Sequence, residues 1–262
     1  MKQNTTNQSE FILQTQGLVK EFKGFTAVDN VNLQVRRGHI HALIGPNGAG
    51  KTTVFNLLTK FLPPTRGSIV FNGVDITSEA PAKTARRGLI RSFQISATFP
   101  HLSVLENVRI GLQRKLGTEF HFWRSEKSLN KLNDEAMALL QAVDLAGFAD
   151  STAAELPYGR KRALEIATTL ALDPVMMLLD EPTQGMGHED IERVVELIRR
   201  VSANRTILMV EHNLSVVANL CDRITVLQRG SVLAEGDYAT VSKNPDVLEA
   251  YVGSADITDA HH

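Results

Sequence analysis

The sequence predicts an α/β protein: a parallel sheet carrying helices, interrupted by an inserted helical subdomain. Two observations lead to that fold. Short β-rich runs end in Gly/Pro punctuation and pass into helical periodicity, and this alternation recurs along the chain, as strands joined by crossover helices require. Between two of these units, residues 95–171 contain almost no β-branched run and show helical spacing instead.

Taken in order, residues 1–10 are polar, without the apolar stretch of a secretory signal, and read as a disordered tail. His39-Ile-His-Ala-Leu-Ile44 reads as a buried strand that stops at Gly45-Pro46 and gives way to a helix over 51–58. In the insert, 104–116, 125–142 and 159–172 read as helices. In the last of these, Ala163, Ile166, Ala167 and Leu170 recur at helical spacing. Residues 175–179 form a second buried strand followed by a helix over 188–201. Residues 206–210 form a third, followed by a helix over 214–220. A hairpin is expected over 223–235, centred on Arg229-Gly-Ser231, then an amphipathic helix over 245–251. One domain therefore spans 11–254, with its α/β core at about 11–94 and 172–254 and the helical subdomain at about 95–171. A short tail is expected over 255–262.

Composition excludes several classes. With 28 Lys+Arg against 29 Asp+Glu, no basic field advertises nucleic acid or anionic lipid as a partner. Cys221 is the only cysteine, so a disulfide scaffold is ruled out. Apolar runs such as 175–179 fall far short of the roughly 20 residues that span a bilayer. These features suit a cytoplasmic protein that would meet a membrane through its partners.

The chemistry begins at Gly45-Pro46-Asn47-Gly48-Ala49-Gly50-Lys51-Thr52-Thr53. The run fits the phosphate-loop pattern Gly-x4-Gly-Lys-Ser/Thr, directly after a strand and directly before a helix. Glycines let the loop curl so that successive N–H groups converge on phosphate oxygens, and the helix turns its positive end to the same anion. Lys51 is placed to reach the β- and γ-phosphates, and the Thr52 hydroxyl to ligate Mg²⁺. Leu178-Leu-Asp180-Glu181-Pro182 closes the second strand. Asp180 is placed to hold Mg²⁺, and Glu181 to orient and deprotonate water, an assistance worth roughly 10²–10⁴ in rate. His212 ends the third strand in the same way, positioned to hydrogen-bond the γ-phosphate or the attacking water.

This set resembles the ATP-binding cassette of ABC transporters over about residues 11–254. By that resemblance, Gln94 in Arg91-Ser-Phe-Gln94 matches the Q-loop glutamine, a γ-phosphate and Mg²⁺ sensor and a hinge to the helical subdomain. His212 matches the switch histidine, and Phe22 the aromatic that stacks on adenine, with Phe25 as its rival. The family's Leu-Ser-Gly-Gly-Gln signature appears as Leu156-Pro157-Tyr158-Gly159-Arg160. Pro157 removes a hydroxyl and a backbone donor, while Gly159 still permits close approach, and proline suits the first turn of a helix. Arg160, Lys161 and Arg162 stand at that helix's positive end. Either some of this charge faces the ATP of an opposing cassette or the three form a solvated basic turn. In Gln184-Gly-Met-Gly187, Gly187 lacks the D-loop side chain that the family uses across a dimer.

The Leu-Pro-Tyr-Gly signature is similar to that of ATPases serving importers of branched-chain amino acids and related amides or urea. The Glu211-His212-Asn213-Leu214 context and Asn244-Pro-Asp-Val-Leu-Glu-Ala-Tyr-Val-Gly253 agree. The resemblance implies ATP and Mg²⁺ as ligands, a head-to-tail pair of like or unlike cassettes, transmembrane permease subunits, and indirectly a periplasmic solute-binding protein. Nucleic acid is not among the expected partners. A permease helix is expected near residues 95–102, including Phe99 and Pro100, where the rival is an apolar subdomain seam. Against this stands a soluble ABC-type ATPase working on ribosomes or DNA, a class marked by fused cassettes or a coiled-coil insertion. Neither feature is found in this chain.

Overall fold

A computed structural model of the chain describes residues 10–92, 98–113 and 132–258. It contains two sheets. The first is antiparallel, formed by β1 (Phe11–Phe22), β2 (Phe25–Val31), β3 (Gln34–Arg36), β5 (Arg66–Phe71) and β6 (Val74–Asp75). The second contains β4 (Ile40–Ile44), β7 (Leu89–Ser92), β8 (Met176–Asp180), β9 (Thr206–Val210), β10 (Arg223–Gln228) and β11 (Ser231–Gly236). Its order is β11-β10-β4-β9-β8-β7, parallel throughout except for the β10–β11 hairpin.

The parallel strands read as apolar runs because both of their faces are covered. All five residues of β4 and of β9 are buried. Side chains alternate across a strand, so each run feeds two cores. Ile40, Ala42 and Ile44 join Met177, Leu179, Ile207 and Met209 on one face. Leu43, Met176, Leu178, Leu208 and Val210 join the other. The first face is covered by α3 (Val104–Leu112), α4 (Asn133–Ala142), α5 (Tyr158–Ala171), α6 (His188–Ser202) and α7 (Leu214–Leu220). The second is covered by α1 (Lys51–Leu58), with Val54, Phe55, Leu57 and Leu58 inside, and by the antiparallel sheet. Each such fully buried aliphatic side chain is worth about 1.5–3 kcal/mol against exposure.

The expected parallel core, the helix over 51–58 and the hairpin stand as read. The antiparallel strands were not individually legible. Their alternation is broken by register shifts in β1 near Leu18 and Lys20, and Gly17 has φ 55°. Of the predicted insert helices, α3 ends at Leu112, and residues 114–131, which include the start of the one expected over 125–142, lie outside the described residues. After α8 (Tyr238–Val241), α9 (Pro245–Thr258) continues past the expected end at Tyr251 and into the stretch read as tail. The short α2 (Pro81–Arg86) precedes β7. Among the described residues, no helix is long and apolar enough to cross a membrane.

Candidate nucleotide site

The loop between β4 and α1 bends through three left-handed glycines: Gly45 (φ 146°), Gly48 (φ 76°) and Gly50 (φ 101°). Two of them are needed for space as well. A Cβ on Gly45 would lie 2.1 Å from the Leu227 carbonyl oxygen, and one on Gly50 would lie 2.6 Å from that of Ala27. The turn between β10 and β11 backs the loop. The Gly230 N–H donates to the Ala49 carbonyl at 3.0 Å, while the Gly230 carbonyl accepts from the Asp29 N–H at 2.8 Å. Ala49 is buried, Pro46 and Gly50 are half-buried, and Asn47 and Gly48 face solvent. Lys51 folds over its own loop, donating to the Gly45 carbonyl at 2.7 Å and the Pro46 carbonyl at 2.9 Å. Burial lowers its pKa, and the charges of Glu181 and Asp180 oppose that shift. The ammonium therefore sits in the loop's cup, near both carboxylates. Thr52 is exposed and Thr53 half-buried at the start of α1.

Asp180 ends β8. Its Oδ2 pairs with the Arg91 guanidinium from β7, which also donates to Asn56 Oδ1 at 2.7 Å. Its carbonyl accepts from Arg162 at 3.2 Å. Glu181 follows in a left-handed conformation, φ 45°, unusual for a residue with a Cβ and typical of sites where strain serves function. Its N–H donates to the Val210 carbonyl at 2.9 Å, tying it to the end of β9. His212, just beyond that strand, places Nε2 2.7 Å from Glu181 Oε1. Beneath them lies Glu211, 3% exposed. The four side chains Asn47, Glu181, Gln184 and His212 help line a cavity of about 470 Å³.

The signature residues open α5. Leu156 is buried and Pro157 stands at the N-cap. The Tyr158 hydroxyl donates to the Gln184 carbonyl at 3.1 Å, reaching the turn that follows Glu181. Gly159 faces α6, where a Cβ would lie 2.8 Å from Asp190 Oδ1. Arg160 stacks on Phe148, 3.9 Å from the ring centroid. Arg162 departs from the expected basic cluster: it is buried, 4% exposed, and paired with Glu165, also buried. That charge is neutralised inside the chain and cannot face an opposing nucleotide. Phe22 and Phe25 are cross-strand partners at the β1–β2 turn, 41% and 66% exposed, and the Lys20 ammonium lies over the Phe22 ring, 5.1 Å from its centroid. Gln94 lies outside the described residues.

The structure thus brings together the phosphate loop, Asp180, Glu181 and His212 from separate strand ends. Reading the sequence missed the pairing of Arg91 and of Glu211, each next to or within a few residues of a motif residue. No local pattern marks them, because their partners come from other strands and helices.

A glycine loop between a strand and a helix, with paired carboxylates ending another strand of the same parallel sheet, defines a phosphate-loop nucleotide hydrolase. Residues 28–184 match the ABC transporter family model, and residues 231–257 match the branched-chain amino acid ATP-binding cassette transporter model. The chain belongs to the ABC transporter family, as an ATP-binding subunit whose ATP hydrolysis is coupled to transport. It is 38% identical to the high-affinity branched-chain amino acid transport ATP-binding protein BraF of Pseudomonas aeruginosa, covering 93% of this chain and 98% of that one. It is 37% identical to LivG of Escherichia coli, covering 94% and 100%. A solved ATP-binding cassette of an ABC transporter in its ADP conformation superposes with TM-score 0.82 at 32% identity, covering 94% of this chain and all of that one. A bacterial ABC transporter cassette solved as a dimer superposes with TM-score 0.72 at 25% identity, covering 86% and 98%.

Proposed function

We propose that this chain powers an importer of branched-chain amino acids, or of a related amino acid or amide, through transmembrane permease subunits at the inner face of the cell membrane. The observation that carries this reading is the Glu181–His212 contact of 2.7 Å beside the phosphate loop, in a chain whose residues 231–257 match the branched-chain amino acid model.

In this reading the phosphate loop, residues 45–53, binds the triphosphate through its N–H groups, and Lys51 exchanges its two loop carbonyls for phosphate oxygens. Phe22 or Phe25 stacks on the adenine. Glu181 holds the attacking water and takes its proton, while His212 fixes the Glu181 carboxylate and meets the γ-phosphate. The donor set suits Mg²⁺, a hard cation that takes oxygen ligands: the Thr52 hydroxyl and the Asp180 carboxylate, with Gln94 as the third candidate. Bound there, Mg²⁺ would neutralise charge on the phosphates.

Two cassettes, alike or unlike, close head to tail, so that residues 156–160 of one cover the nucleotide of the other. Hydrolysis splits the bridging triphosphate into ADP and phosphate, and departure of the phosphate breaks the bridge. The helices within 95–171 act as the subdomain that moves with the permease. The permease helix docks in an apolar cleft of about 450 Å³ lined by Phe61, Ile90, Phe99, Ile110 and Leu172. Phe99 and Phe61 are 50% and 53% exposed, which apolar burial by a partner would relieve. A periplasmic solute-binding protein delivers the cargo to the permease.

Glu181→Gln tests the chemistry. Turnover is expected to fall by about 10²–10⁴ while ATP stays bound and the cassettes remain paired in size-exclusion chromatography. Normal hydrolysis by that variant overturns the assignment. ATP-dependent uptake of leucine by reconstituted vesicles tests the cargo.

A further inference from the structure

We propose that Glu211 is a positioning residue for hydrolysis: its carboxylate clamps the turn that carries Glu181 to the segment that carries His212. The residue is 3% exposed and spends both oxygens on backbone and hydroxyl donors from two strand ends. Oε1 accepts from the Thr183 N–H at 3.1 Å and the Thr183 hydroxyl at 2.5 Å. Oε2 accepts from the His212 N–H at 2.9 Å and the Asn213 N–H at 3.0 Å. The four bonds give both oxygens of the buried side chain their hydrogen-bond donors. None of them touches the nucleotide pocket's reactive groups directly; they fix the backbone from which those groups project.

The geometry shows why such a clamp is needed. Parallel pairing of β8 with β9 ends at Asp180 and Val210, so beyond that point only one main-chain bond, Glu181 N–H to Val210 carbonyl, joins the two segments. Glu181 sits there with φ 45°, a conformation its surroundings must hold. The 2.7 Å contact between Glu181 and His212 spans that unpaired stretch. Glu211 fastens it from below, two residues past Glu181 on one side and at His212 itself on the other. A displacement of about 1 Å in catalytic geometry can cost about 10² in rate.

This inference rests on the roles proposed for Glu181 and His212, and the test separates the two. Steady-state hydrolysis of MgATP by the full chain is measured for Glu211→Gln, Glu211→Ala, His212→Ala and the Glu211→Gln/His212→Ala double variant, with thermal melts for each. Gln keeps the shape but replaces one oxygen with an amide donor, so it covers the case in which Ala fails to fold. For Glu211→Gln the expected result is kcat at least tenfold lower with KM within about twofold. In the His212→Ala background the same change is expected to lower kcat by less than about twofold, since the contact it supports is already gone. Full kcat in Glu211→Gln beside an impaired His212→Ala overturns the clamp alone. So do additive effects in the double variant, or a lowered melting temperature with unchanged kcat. Full turnover in His212→Ala overturns the proposed catalytic roles and the clamp with them.

Discussion

At the scale of single residues, the site is built from groups with few substitutes. Lys51 is held by two carbonyls that a triphosphate would replace with charged oxygens. Hydrogen bonds to charged groups are worth about 1.5–3 kcal/mol, so Lys51→Ala is expected to weaken MgATP binding by about 10–100-fold in equilibrium titration. Unchanged binding would refute the phosphate-loop role. Gly45→Ala meets both a forbidden φ and a carbonyl oxygen 2.1 Å from the new methyl, and is expected to cost more than about 2 kcal/mol in urea unfolding. Gly45, Lys51, Asp180 and Glu181 were legible because each is defined by its sequence neighbours. Arg91 and Glu211 were not, because their partners stand 89 and 28 residues away in the chain. A charged residue on an apolar strand does not announce whether it is exposed or paired. Of the three basic residues at 160–162, Arg162 alone is drawn inside, captured by Glu165 one turn along the same helix.

At the scale of elements, α3 shows how a wall of the apolar cleft is pinned. Ser103 and Glu106 form a reciprocal capping box, with the Glu106 N–H to Ser103 Oγ at 3.1 Å and the Ser103 N–H to Glu106 Oε2 at 2.7 Å. One turn on, buried Asn107 accepts from the Phe99 N–H at 2.7 Å and donates to the Phe99 carbonyl at 3.1 Å, holding that segment to the helix. Ser103→Ala is expected to cost about 1 kcal/mol, a fall of about 2–4 °C in melting temperature. Calorimetry checks it, and no change would mean that the cap is dispensable here. The parallel strands were readable as elements because both faces are buried and the apolar run is unbroken. The antiparallel strands were not, since bulges in β1 interrupt the period of two on which strand recognition depends.

At the scale of the whole molecule, the parallel sheet divides the apolar interior into two cores, and a titratable group lies buried within that sheet. His41 on β4 is 1% exposed, and burial, with Arg223 and His39 nearby, lowers its pKa to about 3. Its Nε2 lies 2.8 Å from Thr225 Oγ1, which donates onward to Glu235 at 3.2 Å, so the ring carries its proton on Nε2. Between the unfolded value near 6.5 and about 3, the unfolded chain takes up a proton that the folded chain refuses. Stability from this group is complete above about pH 6.5 and is lost as pH falls, by up to about 1.4 kcal/mol per unit. Urea unfolding of His41→Gln from pH 7 to 4.5 is expected to show a shallower loss than the unaltered chain; equal slopes would refute it. Sequence texture set the insert apart, but not the continuity of its apolar residues with those of the sheet, because packing between distant segments leaves no local period. The order of assembly is a further matter. β4, which launches the phosphate loop, is flanked by β9 and β10, and the loop leans on Gly230. A ribosome that has already delivered Lys51 must therefore deliver most of the remaining chain before the cradle has walls, and nascent fragments ending short of that turn should emerge unable to grip nucleotide.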